Sequence, residues 1–195
     1  LTFHVGSQCT NPFAWEAALR DAKAVWEAVK LHNVNFDTLN VGGGFPAAHS
    51  DLAPDHAKTL NSIINAVTDF ADATTIEVEP GRGLSGDAGV LVSRVIGKAT
   101  RSGTQWLYLD VGVFNGLMEA IGGIEYRYAS LDCDGPEYLW TIAGPSCDSM
   151  DVVARGVQLP NLAIGDRVVI SPAGAYTTAY ASSFNGLAQP RIHCV

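Results

Sequence analysis

A chain of 195 residues, 47% hydrophobic and only 16% charged, holds enough apolar surface for one large domain or two small ones, and too much for a disordered tail. Its formal net charge of −8 argues against nucleic acid, which is gripped by clustered Lys and Arg, and leans weakly toward cationic small molecules. No signal peptide or apolar span of about eighteen residues appears, which argues against a membrane helix. Cys9, Cys133, Cys147 and Cys194 follow neither metal-ligand nor disulfide-framework spacing, so free thiols in a reducing, cytoplasmic compartment are expected.

The chain opens Leu1-Thr2-Phe3-His4-Val5, a β-prone run without an initiator Met; a fragment, a processed product or a split subunit is expected. Asn11-Pro12 is a helix start, with Asn as cap and Pro at the first helical position. Trp15, Leu19, Ala22, Val25, Trp26 and Val29 then recur at helical spacing. Residues 36–41 read as a strand ending in Gly42-Gly43-Gly44. Residues 55–71 read as a second helix with Leu60, Ile63, Ile64, Val67 and Phe70 as its stripe, and 75–79 as a strand ending at Pro80-Gly81. Strand, helix, strand, helix, strand is the grammar of a parallel sheet with covering helices.

After Gly86 the pattern changes to short β runs at 90–99, 105–111, 138–142, 167–170 and 191–195, punctuated by Gly and Pro. The expected fold class is α/β plus all-β, with domains at 1–86 and 87–195. Three strands cannot close a (β/α) barrel, which needs eight strands and about 250 residues. The first segment is therefore part of an open sheet or the tail of a larger barrel.

Three strand ends carry groups suited to a phosphate and a ring. The glycines 42–44 allow close approach of main-chain N–H groups to an anion, or make a flexible turn. In Glu79-Pro80-Gly81-Arg82, Arg82 has paired donors for phosphate, and Glu79, expected to be nearly buried, would need a cation or donor such as a protonated ring nitrogen. An ordinary Glu–Arg structural pair is the alternative. His4 has a ring that can stack on a flat cofactor and Ser7 a hydroxyl for phosphate, unless His4 is a satisfied core residue. In the β segment, Cys147 can shuttle a proton and Asp148 can bind an amine, or the pair is a buried thiol beside a capping Asp. Tyr176 supplies a phenol that reaches phosphate or is satisfied in a core.

In order, FHVGSQC, VGGGFP, EPGR, GPSCDSMD, GAYT and SSFNG resemble the second half of the fold-type III pyridoxal-phosphate decarboxylases of the ornithine, lysine and diaminopimelate group. The resemblance covers essentially the whole chain. It implies the C-terminal portion of a TIM-type (β/α) barrel followed by a β-barrel or sandwich domain, in a head-to-tail homodimer with shared active sites. It gives His4 the stacking role behind the pyridine ring, and it gives Ser7, Gly43, Gly44, Gly81, Arg82 and Tyr176 the phosphate of pyridoxal 5'-phosphate. Glu79 would keep the ring nitrogen protonated. Cys147 would return a proton, Asp148 would clasp the substrate's distal ammonium, both in the neighbouring subunit's site, and Phe184 would line the pocket.

Diaminopimelate decarboxylases resemble the Cys147-Asp148 motif but carry Glu at the second position. That departure favours a simple diamine precursor: ornithine first, giving putrescine for polyamine synthesis, and lysine second. The stretch 123–134 matches poorly and yields no further substrate acid. The family's Lys, which bonds the cofactor covalently, lies in an N-terminal strand, and none of Lys23, Lys30, Lys58 or Lys98 matches it. The chain alone is expected to be inactive and to need an N-terminal portion bearing that Lys. Two other readings stand beside this one: a non-catalytic, decarboxylase-like binding or regulatory protein, and a barrel enzyme for a phosphorylated sugar.

Overall fold

The computed structural model describes residues 1–32, 34, 36–49 and 54–195. Its contacts divide the chain into two compact units, Leu1–Leu84 and Ser85–Val195.

In the first unit, α1 (Ala14–Lys30) begins two residues later than Asn11-Pro12 implies. Asn11 Oδ1 accepts from Phe13 N–H at 3.1 Å and its carbonyl accepts from Ala14 N–H, so Asn11 and Pro12 form the turn before the helix. Trp15, Leu19, Ala22 and Trp26 are buried, with Trp26 edge-on to Phe36 and Phe70. α2 (His56–Val67) is capped by Asp55, whose Oδ1 accepts from Lys58 N–H at 2.8 Å. Leu60, Ile64 and Val25 belong to the expected stripes but are exposed. β1 (Thr38–Asn40) and β2 (Thr75–Glu77) pair in parallel, Leu39 opposite Ile76. The expected opening strand is reduced to a single bridge from Thr2 to Asn40. Two strands and a bridge cannot curl shut, so among the described residues no closed TIM-type barrel is present.

The second unit is a six-stranded mixed sheet, ordered β5-β8-β3-β4-β6-β7. Its strands are β3 (Leu91–Arg101), β4 (Thr104–Leu109), β5 (Arg127–Ser130), β6 (Glu137–Ala143), β7 (Val152–Pro160) and β8 (Arg167–Ser171). Ser102 and Gly103, both at positive φ, make the two-residue hairpin from β3 to β4. Leu91–Arg94 pair with β8, and Val95 to Arg101 pair with β4 in a ladder that is itself irregular between Val95 and Gly97. β4 and β6 run parallel, and every other pair is antiparallel. Edge strands β5 and β7 pack against each other, so the sheet is nearly closed and barrel-like around Val95, Leu107, Leu109, Trp140, Ile142, Leu159, Val168 and Ile170. The sequence reading lacked β5 and β7. The strand expected at 191–195 is not formed: the chain there is exposed and irregular, and among the described residues no strand pairs with it. Among the described residues, no helix is long and apolar enough to cross a membrane.

Arg167, at the start of β8, binds Asp132 through Nε at 3.1 and 3.0 Å and through its backbone N–H at 2.6 Å. Those bonds, outweighing a smaller cost of desolvation, pull the Asp132 carboxyl from 3.8 down to about 2. A lowered folded-state pKa adds stability above the unfolded value and loses it as pH falls through the folded one. Asp132→Asn should therefore be the less stable protein near neutral pH, and the gap should close between 3.8 and about 2. Urea titrations across that acid range check this; a gap that stays constant to the lowest pH would refute it.

Candidate active site

In the first unit, three chain segments converge at the ends of the strands. Gly42, Gly43 and Gly44 are there because side chains do not fit. A Cβ on Gly42 would lie 1.9 Å from the Phe3 carbonyl oxygen, and one on Gly44 would lie 2.3 Å from that of Gly6. Both residues also sit at positive φ. A Cβ on Gly43 would lie 2.6 Å from the Glu79 carbonyl oxygen and 3.2 Å from His4 Nε2. The loop is thus wedged between the His4 and Glu79 segments rather than loosely turned. It is tied down further by Cys9 N–H to Gly44 O and Glu79 N–H to Gly42 O, and by Gln8, whose amide exchanges two hydrogen bonds with the main chain of Ala47.

His4 Nδ1 accepts from Gly6 N–H at 2.9 Å, which leaves the proton of a neutral ring on Nε2, the nitrogen beside Gly43. Ser7 follows in an exposed turn. Gly81, at positive φ, leads into α3 (Arg82–Ser85), where Arg82 is buried. Gly83 lies so close to Phe45 that a Cβ would meet the Phe45 Cβ at 2.7 Å, which docks this turn on the glycine loop. Glu79 departs from expectation: its carboxylate is exposed, not nearly buried. All of β2 is exposed, because among the described residues no strand lies beyond it to cover that face. The carboxylate is nevertheless held, with Oε1 accepting from Asn40 Nδ2 at 2.8 Å.

In the second unit, Cys147 and Asp148 are exposed on the loop between β6 and β7. Asn185 Nδ2 donates to Cys147 Sγ at 3.7 Å, and the neighbouring Phe184 ring packs on Phe114 at 4.5 Å. The loop is closed by Asp151, which is buried: Oδ1 accepts from Val113 N–H at 2.7 Å and Oδ2 from Ser146 N–H at 2.9 Å. Asp148 caps the turn, its Oδ1 accepting from Met150 N–H at 2.8 Å. Tyr176 is exposed and at positive φ, on a segment whose Gly174 donates to Gly86 O.

Asn40, Gln8, Asp151 and Asn185 escaped the sequence reading, since each acts through partners far away in the chain. The lysines are engaged elsewhere. Lys23 pairs with Glu27, Lys30 with Asp72, and Lys58 lies over the Phe13 ring. Lys98 donates to Asn161 and to Leu162 O beside the Trp140 ring. No group of three or more metal-binding side chains occurs among the described residues.

The family model described as "Pyridoxal-dependent decarboxylase, C-terminal sheet domain" matches residues 5–174. A lysine/ornithine decarboxylase of Selenomonas ruminantium is 35% identical over 95% of this chain and 48% of its own length. An antizyme inhibitor 2 of Xenopus laevis is 30% identical over 99% of this chain and 46% of its own. Among solved structures, the lysine/ornithine decarboxylase of Vibrio vulnificus, complexed with cadaverine, superposes with a TM-score of 0.83 at 33% identity, covering 97% of this chain and 52% of that one. The chain spans about half the length of the curated relatives it matches. With the match running through both units, the chain belongs to the pyridoxal-dependent decarboxylase family.

Proposed function

We propose that the protein carrying this chain decarboxylates a basic amino acid, ornithine first and lysine second, using pyridoxal 5'-phosphate. The observation that supports it best is the packing of the His4 ring, the Gly43 main chain and the Glu79 segment at successive strand ends, so close that Gly43 admits no side chain. An imidazole to stack on the ring, a carboxylate to accept from a protonated ring nitrogen and glycine N–H groups to donate to phosphate suit a phosphorylated pyridine, and the residues fit the group. When bound, the cofactor supplies an electron sink for the pair released with carbon dioxide.

In this reading Glu79 keeps the proton on the ring nitrogen and His4 stacks on the ring. Ser7, Gly43, Gly44, Gly81, Arg82 and Tyr176 take the phosphate. Cys147 returns a proton to the substrate carbon, Asp148 holds the distal ammonium and Phe184 walls the pocket. Residues 1–86 are then the tail of a TIM-type barrel and 87–195 the β domain of a cytoplasmic homodimer, with Cys147 and Asp148 serving the partner's site. The exposed Glu79 carboxylate requires the rest of that protein to cover it, since an ion pair gains strength as water leaves.

The test is reconstitution. The chain alone should release no carbon dioxide from ornithine or lysine; together with the N-terminal half it should do so, and the visible absorbance of bound cofactor should appear. A reassembled protein without cofactor absorbance would sink the proposal. The likeness to an antizyme inhibitor favours a second reading, a non-catalytic regulator. Tight capture of a protein partner by a form that binds no pyridoxal phosphate would select it.

A further inference from the structure

Asn40 closes β1, half-buried, and uses both ends of its amide. Nδ2 donates to Glu79 Oε1 at 2.8 Å and reaches Glu77 Oε2 at 3.4 Å. Oδ1 accepts from Gly42 N–H at 2.8 Å. The residue is itself immobilised from the other side: its N–H donates to Leu1 O at 2.8 Å and its carbonyl accepts from Phe3 N–H at 3.3 Å. An exposed glutamate otherwise samples many rotamers, and ordering a long side chain carries an entropic cost. A donor fixed to the sheet meets that cost before any ligand arrives. The same side chain must also present an acceptor on its other face, because Oδ1 accepts the Gly42 N–H. Asn satisfies both demands, and Asp would set a third carboxylate beside Glu77 and Glu79.

We propose that Asn40 is a positioning residue: it fixes the Glu79 carboxylate and couples it to the Gly42–Gly44 loop, so that the groups for the ring nitrogen and for the phosphate are preset as one body. The inference rests on the proposed role of Glu79. It predicts that Asn40 governs cofactor affinity through Glu79.

The experiment is a double-mutant cycle in the full protein, with pyridoxal phosphate titrated into the apo form of wild type, Asn40→Ala, Glu79→Ala and the double variant. Asn40→Ala should weaken cofactor binding about ten-fold, the lower range for a hydrogen bond to a charged group, and should do nothing further once Glu79 is Ala. Hydrogen exchange at the Gly42 amide should quicken in Asn40→Ala. Asn40→Asp retains the shape and the Gly42 acceptor, so it should fold and keep that amide protected, yet still bind cofactor more weakly. Equal losses from Asn40→Ala with and without Glu79, or wild-type affinity in Asn40→Asp, would overturn the proposal while leaving Glu79 its role. If Glu79→Ala alone changed neither affinity nor turnover, the reading of Glu79 would fail and this inference with it.

Discussion

Asp151→Asn is expected to destabilise the second unit by about 2–4 kcal/mol and to loosen the loop that carries Cys147 and Asp148. The Asp151 side chain is only 2% exposed, and each of its oxygens accepts a main-chain N–H, one from Val113 and one from Ser146. An amide offers one oxygen and turns its NH2 group toward the second donor, leaving a buried N–H unmet at about 1–3 kcal/mol and adding a donor–donor clash. The site cannot relax around the change. Cβ atoms on Gly112 and Gly144 would already fall 2.1 and 2.3 Å from Asp151 Oδ1, so the main chain presses on the carboxylate from both sides. Urea denaturation gives the stability loss, and faster alkylation of Cys147 reports the freed loop. Asp166→Asn is the comparison: its Oδ2 accepts one exposed N–H, that of Ala163, and its loss should cost far less. Equal effects from the two substitutions would mean that burial does not set the strength of these caps.

The second large effect is expected from Gly43→Ala, the smallest change that separates the strand ends. The added Cβ would stand 2.6 Å from a carbonyl oxygen of Glu79 whose own N–H is bonded to Gly42 O, so main chain must move against main chain. Such overpacking costs about 1–3 kcal/mol. In the full protein, cofactor affinity should fall with it, because His4 and Glu79 are pushed apart together. Gly122→Ala is the matched control, since nothing lies within 4 Å of its new Cβ. A Gly43→Ala protein with unchanged melting temperature and cofactor affinity would show that the convergence of these segments has no functional weight.

How far the sequence could be read depended on the range of the interactions involved. The spacing of Trp15, Leu19, Ala22 and Trp26 marks the buried side of α1 because a helix repeats its own geometry within a few residues. The same periodicity put Val25, Leu60 and Ile64 on apolar stripes, yet the structure leaves them exposed, since periodicity identifies a face without supplying the element that covers it. β7 escaped because Arg155 and Gly156 interrupt its alternation, and β5 because four residues carry too little pattern. The glycine loop, Arg82 and Cys147 stood out by residue type. Asn40 and Asp151 did not: an Asn ending a strand and an Asp before one look like ordinary punctuation until Glu79 and Val113, 39 and 38 residues away, are seen against them.

The order of the β sheet also bears on how the protein is made. β8 alone bonds to both β3 and β5, and it is the last strand of the chain. On a ribosome, β3 would emerge on the order of ten seconds before β8 follows it, and the first half of β3, like the whole of β5, would wait without its partner. Leu91 and Tyr128, which both face Ile170 of β8 and pack on the core, would be bare during that interval, so nascent chains paused before Arg167 should be the ones that chaperones hold.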